Sequence, residues 1–172
     1  MVVVDYAWAA GPLFERASMR QLTIVVFNLT MVAALGACGD PSYTITPQPL
    51  QGKINGEAFT FGFGATNSFL DDSDSFFATM FQGAAPTDPC GFSSSGSTGH
   101  VIASVPRTPG EYTMSLQRNI TLAYGGSNNQ IITDGLIRVD SVTATEVKGG
   151  IFADGGDKFT VDGEFTLKIC AP

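Results

Sequence analysis

Lys158-Phe159-Thr160-Val161-Asp162-Gly163-Glu164-Phe165-Thr166-Leu167-Lys168-Ile169-Cys170 is the stretch on which the reading of the fold turns. Side chains of an extended chain alternate between two faces. Phe159, Val161, Phe165, Leu167 and Ile169 therefore share one face, and Thr160, Asp162, Glu164, Thr166 and Lys168 share the other. An apolar face opposite a hydrated one is what an antiparallel sheet covered on one side requires. Gly163 stands on the apolar face and predicts a bend or bulge, since a strand of this length rarely stays straight.

Upstream of this strand, Asp154-Gly155-Gly156-Asp157 has the composition of a hairpin turn, and Glu146 to Ala153 and Leu136 to Val142 read as the preceding strands. Near the start of the pattern, Leu50 to Ile54 and Glu57 to Phe63 flank Asn55-Gly56, two residues that tolerate positive φ and so favour a tight hairpin. Strict alternation there puts Phe59, Phe61 and Phe63 on one face. Ser75 to Gln82 reads as a strand, with a helical turn as the alternative because Phe76, Phe77, Met80 and Phe81 alternate less strictly. His100 to Val105 and Glu111 to Gln117 are joined by a Pro- and Gly-containing turn, and Ile120 to Tyr124 and Gln130 to Thr133 flank a Gly-Gly-Ser-Asn-Asn loop. Short strands with such punctuation and no amphipathic helix predict an all-β domain over residues 50–172, an antiparallel β-sandwich with a small β-barrel as the alternative.

Composition agrees, with 20 glycines and 13 phenylalanines among 172 residues, enough chain for one hydrophobic core. The net charge is −7, and the basic residues after Cys38 are scattered. Nucleic acid and anionic lipid headgroups are therefore poor electrostatic partners, and no nucleic-acid partner is expected.

Met19-Arg20-Gln21 is a short basic start, and Leu22 to Ala37 is a run of sixteen residues without charge. A spanning helix needs about 20 apolar residues, so residues 19–37 read as a signal-peptide helix rather than a permanent span. The run ends in Leu35-Gly36-Ala37-Cys38, which resembles the lipobox of bacterial lipoproteins. That resemblance implies cleavage before Cys38, diacylglycerol on its thiol, and palmitate or a similar chain on the freed amine. Two or more acyl chains make a stable anchor where one is marginal. Gly39 stands where an Asp would imply retention in the inner membrane, so the outer membrane is the expected address in a Gram-negative cell, and the plasma membrane in a Gram-positive one. Residues 1–18, with Asp5, Glu15 and Arg16 before a second Met, are expected to be an upstream extension or an extended n-region. Residues 38–49, with Pro41, Pro47 and Pro49, read as the lipidated cysteine and a flexible tether.

The remaining chain is similar to a loose class of β-rich Gram-negative lipoproteins. The likeness rests on Ile54-Asn55-Gly56-Glu57-Ala58-Phe59, on Val147-Lys148-Gly149-Gly150-Ile151-Phe152 and on the Gly163 to Cys170 terminus. It bears on fold and address and brings no activity with it.

With Cys38 assigned to lipid, Cys90 and Cys170 are left, and two cysteines in an exported domain predict a disulfide. The alternative, a metal or nucleophilic thiol pair, lacks the partners it would need. Asp71, Asp72 and Asp74 form the densest acidic cluster and are the candidate calcium ligands, but the spacing of a calcium loop is absent, which favours a solvated turn. His100 is the single histidine and has no recognisable acid or nucleophile beside it in sequence. The expectation is therefore a membrane-anchored, non-enzymatic binding or structural module without cofactor, whose partner is an envelope protein or a glycan. A carbohydrate- or calcium-binding module would be favoured if the loops around Asp71–Asp74 and Ser93–Gly99 converged beside exposed aromatics such as Phe69 or Phe92. The long C-terminal strand, taken as exposed, would offer an edge for pairing with another protein.

Overall fold

The computed structural model describes residues 42–92 and 98–171; the expected signal-peptide helix, Cys38 and the first part of the expected tether lie outside them. Ten strands follow one another: β1 Gln51–Ile54, β2 Glu57–Thr66, β3 Ser75–Gln82, β4 His100–Pro106, β5 Gly110–Thr113, β6 Ile120–Tyr124, β7 Asn128–Ile132, β8 Gly135–Val142, β9 Glu146–Asp154 and β10 Phe159–Lys168. They form one sheet in the order β5-β8-β9-β10-β1-β2-β3-β4-β6-β7, antiparallel apart from a single parallel contact between the end of β10 and β2.

The sheet is folded over on itself. Val139, Ile151 and Phe165 from one half and Ala78, Val101 and Leu122 from the other belong to one buried cluster, and β4 approaches β8 across it. The two halves are the layers of a sandwich, continuous through β10, β1 and β2. β5 and β7 end the sheet and do not pair with each other, so the barrel alternative is not what forms.

The hairpin at Asn55-Gly56 is present, with φ of 55° and 83° at the two turn residues. Alternation along β10 also holds: Val161, Phe165 and Leu167 are buried, and Gly163 takes a φ of 137° that only glycine adopts easily. A side chain there would also run into the Gln48 carbonyl and the Leu50 Cα.

Three expectations change. The register between β2 and β3 shifts between Phe61 and Phe63, a bulge that reverses the alternation. Phe59 and Phe61 face the core, but Phe63 turns to the outer face and stacks on Phe81, with ring centroids 5.2 Å apart. β3 is the strand expected over Ser75–Gln82 and buries Phe76, Ala78 and Met80; the helical-turn alternative is not what forms. β5 stops at Thr113 rather than Gln117, because Met114 drops into the core and Ser115–Arg118 makes the turn that carries the chain to β6. Finally, β10 is an interior strand between β9 and β1, not an edge. Its polar outer face is hydrated although its backbone is paired on both sides.

The segment from Tyr43 to Pro49, expected to be part of the tether, is fastened to the outer face of β8–β10. Ile45 is buried over Gly150, where even a Cβ would lie 2.7 Å from its Cγ2. Tyr43 stacks on Phe152 at 5.6 Å and its hydroxyl donates to Asp134. That hydrogen bond, whose proton ionisation would remove, raises the phenol pKa, and the adjacent Asp134 charge adds to the effect. The Thr46 amide and hydroxyl both donate to the Asp162 carboxylate. The Leu50 amide donates to the Glu164 carbonyl at 2.8 Å and the Glu164 amide to the Gln48 carbonyl at 2.7 Å. The bulky residues of this stretch are what hold it down, and the domain begins at Tyr43.

Candidate functional site

The outer faces of the two layers differ in kind. On β8–β10 the outer positions include Arg138, Asp140, Lys148, Asp162 and Glu164. Arg138 binds both Asp140, at 2.7 Å, and Glu164, at 2.9 Å, reaching over Gly150. A depression of about 560 Å³ lies here beside the strap, but its acidic side chains, Asp140 and Glu164, are the ones already paired with Arg138.

The outer face of β3, β4, β6 and β7 carries Phe77, Thr79, Phe81, His100, Ile102, Ser104, Thr121, Ala123, Asn129 and Ile131. None of these bears a carboxylate, an ammonium or a guanidinium. In a chain of net charge −7, these outer positions are without a formal charge.

One end of this face is built into a groove of about 270 Å³. Its floor is Ala65, Thr79 and Phe81; one wall is the β2–β3 loop at Asn67–Phe69 and the other is Pro89–Phe92. Cys90 and Cys170 are joined, with Cα atoms 5.7 Å apart across 80 residues of sequence. The bridge ties the long β3–β4 connection to the chain end, and the Cys170 amide donates to the buried Thr66 hydroxyl at 3.0 Å. So held, Phe92 packs edge-on against Phe63 and Phe81 at 5.1 and 4.8 Å. Phe69 is 91% exposed and Phe92 42% exposed, on opposite walls. The Asn67 Oδ1 accepts the Phe69 amide and the Ser68 hydroxyl donates to the Ala171 carbonyl at 3.3 Å, which leaves the Asn67 side-chain NH₂, the Ser68 hydroxyl oxygen as an acceptor, and Thr79 as polar groups along the groove. Among the described residues, no lining side chain is ionisable.

The acidic cluster stands next to the groove wall and has work of its own. Asp71 accepts the Phe77 amide at 2.7 Å and pairs with Arg107 at 3.1 Å. Asp72 accepts the Asp74 amide, the Ser75 amide and the Ser75 hydroxyl, in an Asx-type turn. These bonds, the Asp74 amide foremost, hold the Asp72 carboxyl below the usual range, since each stabilises the ionised form. Arg107 also donates from Nε to the Asp72 carbonyl and lies 4.1 Å from the Phe76 ring centre. The candidate calcium ligands Asp71 and Asp72 thus already serve internal donors, and the cluster is the brace of the loop that presents Phe69.

His100 stacks against Phe81 at 5.4 Å and its Nδ1 meets the Thr98 carbonyl. Its neighbours are a ring and a carbonyl rather than an acid. The structure therefore brings together Cys90, Cys170, Phe69 and Phe92, and sets His100 beside Phe81 at the margin of this cluster. Ser93–Ser97 of the second loop lie outside the described residues. Thr79 and Phe81 were not identified as groove residues from sequence, although a signal was there. Ser75–Gln82 is apolar at both parities, the mark of a strand covered on both faces. Comparison with known protein families, curated proteins and solved structures found no match to this chain.

Proposed function

We propose that the chain is a lipid-anchored protein of the bacterial envelope, cut before Cys38 and held by acyl chains on that cysteine, whose β-domain acts by binding. The observation that carries this reading is the uncharged run Leu22–Ala37 ending in Leu35-Gly36-Ala37-Cys38, just ahead of a domain whose packed residues begin at Tyr43. Five residue steps of at most ~3.5 Å each would keep the domain within roughly 17 Å of the acylated cysteine. Gly39 favours the outer membrane over the inner in a Gram-negative host. The test is Cys38→Ser with fractionation of the host envelope. The unsubstituted protein is expected in the outer-membrane and detergent-rich fractions, and the variant as an unprocessed or soluble form. An unsubstituted protein recovered soluble and unacylated would overturn the proposal.

The groove favours a ligand class, a neutral glycan. Two exposed phenyl rings offer faces for sugar C–H groups, Asn67, Ser68 and Thr79 offer hydrogen bonds, and no ionisable side chain demands a charged group. Calorimetric titration of the mature protein with neutral oligosaccharides should give binding that Phe69→Ala weakens at least ten-fold and that calcium chelation leaves unchanged. Binding indifferent to Phe69, or lost on chelation, would contradict it.

A further inference from the structure

The inner face of the sandwich changes character at the Asn55-Gly56 end. Residues directly opposite each other on paired strands share a face, so Glu57 stands on the same side as Ile54, and Asn128 on the same side as Tyr124. Along each strand the buried apolar series is continued by a residue with a polar group: Phe59 by Glu57 on β2, Met80 by Gln82 on β3 and Leu122 by Tyr124 on β6. These ends enclose a cavity of about 220 Å³ floored by Ile54 and Phe59, and it shares no residue with the groove at Phe69 and Phe92. Gly99 completes the wall. Its φ is not left-handed, so its backbone does not call for glycine; a Cβ there would sit 3.2 Å from the Ile54 Cγ2, and a side chain would stand over the floor of the cavity. Glu57 brings the one carboxylate, and no cation lines the cavity. Among the described residues Glu57 forms no ion pair, not even with Lys158, whose chain passes Gly56; Asp140 and Glu164, in the depression beside the strap, are both held by Arg138. The Tyr124 ring is set against Phe159, with centroids 5.4 Å apart, which fixes where its hydroxyl lies.

We infer that this cavity binds a single amino sugar unit, with its ammonium on the Glu57 carboxylate and its hydroxyls on Gln82, Tyr124 and Asn128. Size sets the first limit. Sites for drug-sized ligands run to roughly 300–1,000 Å³, and this one is smaller, suited to one ring rather than a chain. Charge sets the second, since an unpaired carboxylate in a chain of net charge −7 draws a cation and repels an anion. Hydrogen bonding sets the third. The Gln82 and Asn128 amides and the Tyr124 phenol supply both donors and acceptors, which suit hydroxyl groups and which a plain alkylamine would leave unserved. The inference concerns a second site and stands without either the groove ligand or the lipid anchor.

NMR titration of the full mature chain with glucosamine tests it, with glucose as the uncharged control and butylamine as the cation without hydroxyls. Glucosamine should give saturable shifts at Glu57, Gln82, Tyr124 and Asn128, with a dissociation constant at least ten-fold below that of either control. Glu57→Gln keeps the shape of an exposed side chain and removes its charge, so it should bring glucosamine to the level of glucose. Phe69→Ala, in the groove, should leave glucosamine binding unchanged. The absence of saturable shifts, shifts centred on Phe69 and Phe92, equal affinity for glucose or butylamine, or binding indifferent to Glu57→Gln would each overturn the inference.

Discussion

Replacing Cys90 and Cys170 together by serine removes a link that closes a loop of 80 residues, and the size of the effect follows from that number. In the chain-entropy description the bridge restricts the unfolded chain by about 4.5 kcal/mol at 25 °C for such a loop. The native end of the chain keeps other attachments, since the Cys170 amide bonds Thr66 and the Ile169 amide bonds the Thr145 carbonyl. The loss should therefore appear mainly as a freer unfolded state. Urea unfolding of the mature protein and the double variant should show a fall of about 4 kcal/mol, a larger m value, and a Tm lower by roughly 15 °C. Against a typical total of ~5–15 kcal/mol this is a large share. A loss under about 1 kcal/mol would refute the reasoning. So would loss of amide protection along β10 in the folded variant, which would place the effect in the native state.

Three further perturbations address the strap, the bend and the acidic turn. Ile45→Ala should cost about 2 kcal/mol and make Tyr43–Pro49 cleavable by protease; an unchanged proteolysis pattern would mean that the strap does not depend on this contact. Gly163→Ala should cost at least ~2 kcal/mol, because it combines a φ of 137° with a Cβ 2.7 Å from the Gln48 carbonyl oxygen. Gly156→Ala, at a φ of 93° with open space around it, should cost only about 1 kcal/mol, and equal losses by urea unfolding would contradict the steric part of the argument. The Asp72 carboxyl has a folded pKa below its ordinary 3.8, so its stabilisation of the turn is complete above that value and is lost as pH falls through the lower folded one. Amide exchange at Asp74 and Ser75 should accelerate in that acid window and become independent of pH there in Asp72→Asn, beyond the intrinsic rate; a pH response that persists in Asp72→Asn would assign it elsewhere.

Most of the strands were legible because the signal for a strand is local. The alternation in Lys158–Cys170 and the Asn55-Gly56 turn needed no knowledge of partners, and both are found where expected. What was not legible depends on partners distant in sequence. The bulge beside Phe63 arises where β2 meets β3, and it moves a phenyl ring from the core to the outer face without altering the composition of the strand. β10 looked like an edge because its polar face is solvent-exposed, but face exposure and backbone pairing are independent properties of a strand. Tyr43 and Ile45 lie among prolines and read as a tether; only the side-chain-free surface of Gly150, more than a hundred residues later, makes Ile45 a buried residue. Of the groove, the disulfide was foreseen from compartment and cysteine number, whereas its aromatic walls depend on loops that periodicity does not describe.

The most direct test of the central claim is the intact mass of the protein taken from a membrane fraction of its host, measured with and without reduction. The expected mass is that of residues 38–172 plus diacylglycerol and acyl chains, with two protons gained on reduction of Cys90–Cys170. A mass that retains Met19 to Ala37 and carries no lipid would contradict it, and the run Leu22–Ala37 would then be an uncleaved apolar segment.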